Sequence, residues 1–174
     1  MKTRTFLFTL VSVLAIAAML TFVSCDNDGS SGNSFTYDGT TYQLSEGYLA
    51  YRGETNGPYR FLIVGVSPSI DYEALTGTGE LFLIDIYTPS TKIVAGTYTY
   101  LQGAGDPYTF SSLTILLNFE MEIDEGDIYM AEAGTVTITE VSYCTISLNF
   151  EVTLDDGKTA TGTWSGPVTI LFQF

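Results

Sequence analysis

The chain has 174 residues and a formal net charge of −14, with 20 acidic and six basic residues. A chain this acidic does not bind nucleic acid or anionic lipid through its general field. The absence of histidine excludes Ser-His and Cys-His catalytic pairs and the commonest metal ligand. The length fits one domain with a short appendage, and an apolar content of 45% is too high for a disordered chain.

The first 24 residues have the pattern of an export signal. Lys2 and Arg4 precede an uncharged, mostly apolar run from Phe6 to Val23, which is the order typical of a secretory signal. The run is at the lower limit for spanning a bilayer. A cleaved signal, a permanent membrane anchor and a lipoprotein signal are therefore all open at this point.

The segment Phe22-Val23-Ser24-Cys25 distinguishes these interpretations. A bulky apolar residue, an apolar residue and a small residue before a cysteine resemble the bacterial lipobox. The resemblance implies that Cys25 is lipidated and that residues 1–24 are removed as a lipoprotein signal peptide. This cleavage would remove Lys2 and Arg4, so the net charge would become −16.

Residues 25–34 are predicted to be the lipidated cysteine and a flexible tether. The segment after Cys25 contains only Asp, Asn, Gly and Ser, a composition typical of flexible linkers. Two or three acyl chains anchor a protein stably to a membrane, whereas one chain does so only marginally. A domain held this close to lipid headgroups needs such a spacer.

From Phe35 onward, apolar residues alternate with polar ones, as is typical of β-strands. Phe35–Gly39 and Thr41–Leu44 predict a small hairpin with an Asp-Gly turn. Tyr59–Val66 and Glu80–Tyr87 contain continuous apolar runs, which predict strands covered on both faces. Only Asp71–Leu75 could form a helical turn.

The C-terminal half alternates more regularly. Leu113–Ile123 predicts one long strand, and four later segments predict an antiparallel meander. Cys144 and Trp164 lie on the apolar faces of their strands, so we expect a buried, inert thiol, no disulfide framework and an indole in the core. The predicted meander strands are Gly134–Glu140, Tyr143–Leu154, Thr159–Ser165 and Val168–Phe174.

These segments predict one all-β domain over residues 35–174. Their number and spacing favour a single antiparallel β-sandwich of roughly ten strands. A lipocalin-like β-barrel is the alternative.

Two groups of side chains are candidates for a site. The densest acid cluster is predicted to be a solvated strand end, because Ca²⁺ needs six to eight oxygens that converge from a shaped loop. No metal, cofactor or catalytic residue is therefore expected. Four tyrosines in or near predicted loops could stack on sugar rings, although tyrosine is also a favoured strand residue. The acids are Glu120, Glu122, Asp124, Glu125 and Asp127, and the tyrosines are Tyr48, Tyr51, Tyr59 and Tyr108.

Several motifs together resemble small all-β surface lipoproteins of Bacteroidetes-type bacteria. They are the lipobox followed by acids, Phe35-Thr-Tyr-Asp-Gly-Thr-Thr-Tyr42, Gly134-Thr-Val-Thr-Ile138, Asp156-Gly-Lys158 and Gly162-Thr-Trp-Ser-Gly166. The resemblance implies an exported, membrane-tethered β-domain and brings no catalytic residues. It also implies that Asp26, Asn27 and Asp28 act as an export signal to the outer face of the outer membrane. The alternative is that these three are simply good linker residues.

The function expected from the sequence is that of a non-catalytic surface lipoprotein that binds glycan or protein through loops. A structural or accessory subunit of a fimbria-like surface assembly is the alternative, with pairing through an exposed edge strand. A lipocalin-like carrier of a small apolar ligand is third.

Overall fold

The computed structural model describes residues 22–23, 32–54, 57–103 and 105–171. This part of the chain is built from strands and turns. The strands are β1 (Phe22–Val23), β2 (Ser34–Tyr37), β3 (Thr40–Gln43), β4 (Glu46–Glu54), β5 (Tyr59–Val66), β6 (Ile70–Asp71), β7 (Thr76–Thr88), β8 (Gly96–Tyr100), β9 (Thr109–Glu120), β10 (Glu125–Val141), β11 (Thr145–Leu154), β12 (Thr159–Pro167) and β13 (Thr169–Leu171).

Twelve of these strands form one open sheet, in the order β1-β13-β4-β5-β7-β9-β8-β10-β11-β12-β2-β3, and the short β6 pairs with β7. The all-β prediction is confirmed. The prediction of a purely antiparallel sheet is wrong, because β13 pairs with β4 and β8 pairs with β9 in parallel.

The predicted four-strand meander is correct for three strands. β10, β11 and β12 are antiparallel neighbours, but β13 leaves them and pairs with β4. The physical reason is that β2 already occupies the second edge of β12, with Ala160 opposite Tyr37. The chain after Pro167 therefore finds its hydrogen-bond partners at the other end of the sheet.

The strands β4, β5, β7 and β9 form what we call the apolar half of the sheet. Every residue from Phe61 to Val66 and from Leu81 to Thr88 is buried, which confirms the prediction of strands covered on both faces. Phe61, Ile63 and Phe82 belong to the main core. The intervening side chains point to the opposite face and form a second cluster with residues of the 70–75 segment and of β13. This outer cluster includes Leu62, Val64, Leu81, Leu83, Ile70, Tyr72 and Leu171.

The strands β10, β11, β12 and β2 form what we call the polar-faced half. In β11, Ile146, Leu148 and Phe150 are buried in the main core. Asn149 and Glu151, which alternate with these residues along the strand, are exposed. Hydroxyl groups cover the outer face, where Ser147 and Ser165 lie 2.9 Å apart on neighbouring strands.

The two halves meet through aromatic rings. Phe82 of β7 and Phe150 of β11 are 5.5 Å apart in an edge-to-face arrangement, although several strands separate them along the sheet. Trp164, predicted to be in the core, is 3% exposed and fills the space over Gly47 of β4, where an added Cβ would lie 2.4 Å from the indole. The sheet therefore curls so that the inner faces of its halves share one core.

Two local predictions differ from the structure. Asp71 belongs to β6, and the turn after it is held by a hydrogen bond from the Ala74 amide to the Asp71 carboxylate, 2.8 Å long, without a helix. The long strand β9 ends at Glu120, and Asp124 adopts a left-handed conformation with φ of 56°. The chain must turn there because Glu125 already pairs back with Glu120 in β10.

Candidate functional site

A cavity of about 580 Å³ opens between the start of β4, the 68–73 segment and the start of β13. Its lining is mostly polar and includes the carboxylates of Glu46, Asp71 and Glu73. The other lining residues are Ser45, Gly47, Tyr48, Pro68, Ser69, Ile70, Pro167, Val168 and Thr169. The cavity therefore combines one aromatic side chain with carboxylate and hydroxyl groups, and its lining is more polar than that of most small-molecule pockets.

Three parts of the chain build this cavity. The segment after β5 is held by Ser67, whose hydroxyl accepts a hydrogen bond of 3.0 Å from the Glu80 amide. The turn at Asp71 then directs Glu73 toward β4. β13 forms the opposite wall because Thr169 pairs with Tyr48.

Tyr48 forms the aromatic part of the cavity wall. Its ring packs 4.6 Å from the Tyr72 ring, and its hydroxyl donates a hydrogen bond to the Glu46 carboxylate. Burial raises the pKa of Tyr48, and the hydrogen bond to Glu46 raises it further. The negative charges of Glu46, Glu73 and Asp71 act in the same direction, so the tyrosine stays protonated and remains a donor.

The carboxylates of the cavity form no ion pair in the described part of the chain. The ion pairs found there join Arg60 to Asp85 and Lys158 to Asp38 and Asp156. No group of three or more Cys, Asp or Glu among the described residues could hold a metal ion. The cavity can therefore accept hydrogen bonds, and its negative field disfavours anionic ligands.

The four predicted tyrosines do not form one site. Tyr48 lines the cavity, but Tyr51 is on the opposite face of β4, packed 5.3 Å from the Phe61 ring and 40% exposed. Tyr59 pairs with Thr88 at the far end of β5. Tyr108 adopts φ of 65° and packs against Tyr98, 5.7 Å between ring centres.

Sequence reasoning missed Glu46, Asp71 and Glu73. Glu46 is 25 positions before Asp71 and 27 before Glu73, and it comes close to them only because β4 and β5 pair and the 70–75 segment folds back over Tyr48. The one local signal was Pro68, which marks a chain reversal between two apolar runs. The predicted acid cluster is spread along the β9–β10 turn, where Asp127 pairs with Leu117.

The polar clusters outside the cavity have structural roles. Arg60 and Asp85 form a two-point ion pair on the outer face of the apolar half, with Nε and Oδ1 2.7 Å apart. Lys158 lies 2.8 Å from Asp38 and joins the β2–β3 turn to the β11–β12 turn. The Tyr37 hydroxyl donates to Asp156 across the same two turns, 2.6 Å away.

Cys144 is buried, as predicted, with 9% exposure. It is disulfide-bonded, so the expectation of an inert thiol in a chain without disulfides is wrong. Alternation along a strand predicts burial of a cysteine but not the redox state of its sulfur. The predicted lipidation at Cys25 and the predicted export signal at Asp26, Asn27 and Asp28 lie outside the described residues.

Comparison of the chain with protein-family models, with curated proteins and with solved structures finds no match. In the part of the chain that the structure describes, no helix is long and apolar enough to cross a membrane.

Proposed function

We propose that this protein is a non-catalytic, lipid-anchored protein of the outer membrane, exposed at the cell surface, which binds a glycan in the cavity beside Tyr48. The carrying observation is the cavity itself, which is lined by the acidic residues Glu46, Asp71 and Glu73, none of which forms an ion pair among the described residues. Sugar hydroxyls are donors that suit such acceptors, and hydrogen bonds to charged groups are about twice as strong as neutral ones.

The charge of the protein restricts the glycan class. The chain carries 20 acidic residues against six basic ones, and three of these acids line the cavity without forming an ion pair among the described residues. An anionic polysaccharide would meet like charge at the protein surface and in the cavity. The proposed ligand is therefore a neutral or amino-bearing glycan.

The position of the cavity agrees with a surface-anchored protein. Asn33 lies near the end of the predicted tether, and its carbonyl accepts a hydrogen bond of 2.9 Å from the Leu44 amide, next to Ser45 of the cavity wall. A tether over residues 25–34 extends at most about 35 Å. The cavity would thus lie within reach of glycans that start at the membrane surface.

The proposed scaffold is a β-sandwich, in which the two halves of the curled sheet pack face to face. The Phe82–Phe150 contact supports this arrangement. Trp164 over Gly47 and Phe82 over Gly65 fill the space between the halves. These rings occupy volume that a carrier of a small apolar ligand would need, so the lipocalin-like alternative has less support.

Binding to immobilised neutral, amino-bearing and anionic polysaccharides tests the proposal. We expect the purified full chain to bind neutral or amino-bearing glycans, and Glu46→Gln and Glu73→Gln to weaken binding roughly tenfold each, the size of one charged hydrogen bond. Glu140→Gln, which changes an exposed acid of β10, serves as the matched control. Equal affinity of all four proteins would refute the cavity as the site.

A fimbria-like assembly role is the second candidate, and one observation favours it. β3 (Thr40–Gln43) ends the sheet, with β2 as its only strand neighbour in the described chain, so its outer backbone groups could pair with a partner strand. Thr41→Pro would block such pairing. Loss of cross-linked ladders in this variant would support assembly, and ladders of unchanged length would count against it.

A further inference from the structure

Two rows of polar side chains cross the outer face of the polar-faced half and continue onto the flanking strands β8 and β3. Within each row, every residue is the Cα partner of the next. The residues between the rows, such as Val136 and Phe150, are buried in the main core, so both rows point outward. The first row is Thr99, Thr135, Glu151, Thr161, Thr36 and Thr41. The second row is Thr97, Thr137, Asn149, Thr163, Ser34 and Gln43. We call these twelve residues the hydroxyl face.

The hydroxyl face is nearly uniform in its chemistry. Nine of its side chains carry a hydroxyl group, and Asn149 and Gln43 carry amides, so almost every member can both donate and accept hydrogen bonds. Glu151 is its only charged member, although the whole chain carries 20 acidic residues. None of the twelve residues is aromatic, and none is buried. The face therefore offers hydrogen bonds without a strong electric field and without a large apolar surface.

The spacing of the hydroxyl face follows from the geometry of the sheet. Neighbours within a row are about 4.8 Å apart, and the two rows are about 7 Å apart because two residues separate them along each strand. Cross-strand hydrogen bonds hold side chains in place, with 2.9 Å between the hydroxyl oxygens of Thr36 and Thr41 and 3.2 Å between those of Thr97 and Thr137. The face is thus a repeating lattice of hydrogen-bonding groups about 24 Å long.

A groove of about 360 Å³ lies over the centre of the hydroxyl face. Seven of its lining residues belong to the two rows, among them Thr135, Asn149 and Thr161. The groove shares no lining residue with the cavity beside Tyr48. It is therefore a separate concave surface, on the opposite half of the sheet.

We propose that the hydroxyl face binds an extended, neutral polysaccharide. A polysaccharide presents repeated hydroxyl groups that both donate and accept hydrogen bonds, as the face itself does. Charge complementarity favours an uncharged chain, because Glu151 in the groove and the net charge of −14 repel anions. A protein partner fits less well, because the buried centres of protein interfaces are enriched in aromatic residues and the face has none. This surface does not depend on the proposed cavity site.

The absence of aromatic side chains from the hydroxyl face determines how binding should depend on chain length. Each sugar unit would form only neutral hydrogen bonds, whose net contribution is small because they replace hydrogen bonds to water. Many units must therefore bind at once, and their contributions combine along the polymer. The face should bind long chains and discriminate against short oligosaccharides. The cavity beside Tyr48, at about 580 Å³, has the size of a pocket for a small ligand.

Binding of the purified full chain to immobilised mannan, amylopectin and xyloglucan tests the proposal. We expect at least one of these polymers to bind, and the double variant Thr135→Val/Thr161→Val to bind at least tenfold more weakly. Valine keeps the β-branched shape that suits a strand, and Thr161→Ser keeps the hydroxyl and should retain binding. The control is Thr78→Val/Thr91→Val, which changes two exposed threonines outside the face. No binding to any polymer, or equal binding by the two double variants, would overturn the proposal.

Competition by short sugars separates the hydroxyl face from the cavity. Trisaccharides of the bound polymer should not displace it at concentrations where the soluble polymer does, and Glu46→Gln should leave polymer binding unchanged. Displacement by trisaccharides, together with weaker polymer binding in Glu46→Gln, would assign the polymer to the cavity and refute the role of the face. Polymer binding that requires Thr135 and Thr161, with no glycan whose binding depends on Glu46, would support the face and refute the cavity as a site.

Discussion

The two halves of the sheet are built from the same kind of strand, but their outer faces differ in whether the side chains are buried or exposed. In the apolar half, Leu62, Val64 and Leu83 on the outer face are buried. In the polar-faced half, the corresponding outer positions, such as Thr135 and Thr161, are exposed. Both halves contribute their inner faces to one core.

The difference shows which strands need cover and where a cavity can form. A half with two apolar faces needs a second layer, and the 70–75 segment and β13 contribute to it. Such an added layer does not fit the sheet everywhere, and the space beside Tyr48 remains open. A half with one polar face needs no such layer. The candidate site therefore lies on the apolar half, because that is where segments are packed onto the sheet.

The largest loss of stability is expected from removing an aromatic contact between the two halves. Phe82→Ala removes a fully buried ring that contacts Phe150 across the core, and we expect the free energy of unfolding to fall by about 3–5 kcal/mol. Chemical denaturation measures this change. A double-mutant cycle with Phe150→Ala should give a coupling of about 0.5–1.5 kcal/mol for the ring pair. A coupling of zero would mean that the halves do not touch through these rings.

The strands of both halves could be predicted because their signals are local. The alternating pattern predicted a strand from Tyr143 to Leu154, and the structure has this strand from Thr145 to Leu154. The continuous apolar run Phe61–Val66 correctly indicated a strand that is covered on both faces. The end of the sheet could not be predicted in this way. Whether β13 joins β12 or β4 depends on competition for the edge of β12, which β2 wins, and such competition has no signal within β13 itself.

A smaller change in stability is expected from two reciprocal substitutions, one on each outer face. Val64→Thr places a hydroxyl in the covered outer face of the apolar half and should destabilise the protein by about 1–3 kcal/mol. Thr137→Val makes the opposite exchange on the polar-faced half, where Thr137 lies 3.2 Å from Thr97, and should change stability by less than about 0.5 kcal/mol. Similar costs for both variants would contradict the difference between the faces.

The candidate site was predicted only in part. Tyr48 was among the four tyrosines selected because it lies near a predicted loop. Its neighbours Glu46, Asp71 and Glu73 were not selected, since acids are so numerous in this chain that none stands out. The cavity arises from pairing between β13 and β4, which the predicted meander excluded. Sites made by nonlocal pairing cannot be predicted when that pairing is predicted incorrectly.

A pH-dependent effect compares how completely the two clusters exclude water, and it is measured through tyrosine ionisation. Burial raises the pKa of Tyr72, in the outer cluster of the apolar half, to about 12. Burial also raises the pKa of Tyr98, in the main core, to about 12. An unfolded tyrosine ionises near pH 10. The unfolded chain therefore loses these protons first, and the stability they contribute is complete below pH 10 and is lost as the pH rises toward 12.

For Tyr72 this linkage amounts to about 1.4 kcal/mol per pH unit between pH 10 and 12. Urea unfolding at a series of alkaline pH values should show a shallower decline for Tyr72→Phe than for the wild type. Tyr98→Phe should also reduce the slope, but it also removes the donor to the Val94 carbonyl, so its stability at neutral pH should be lower. If Tyr72→Phe leaves the slope unchanged while Tyr98→Phe reduces it, water reaches the outer cluster, and the apolar half is covered less completely than the main core.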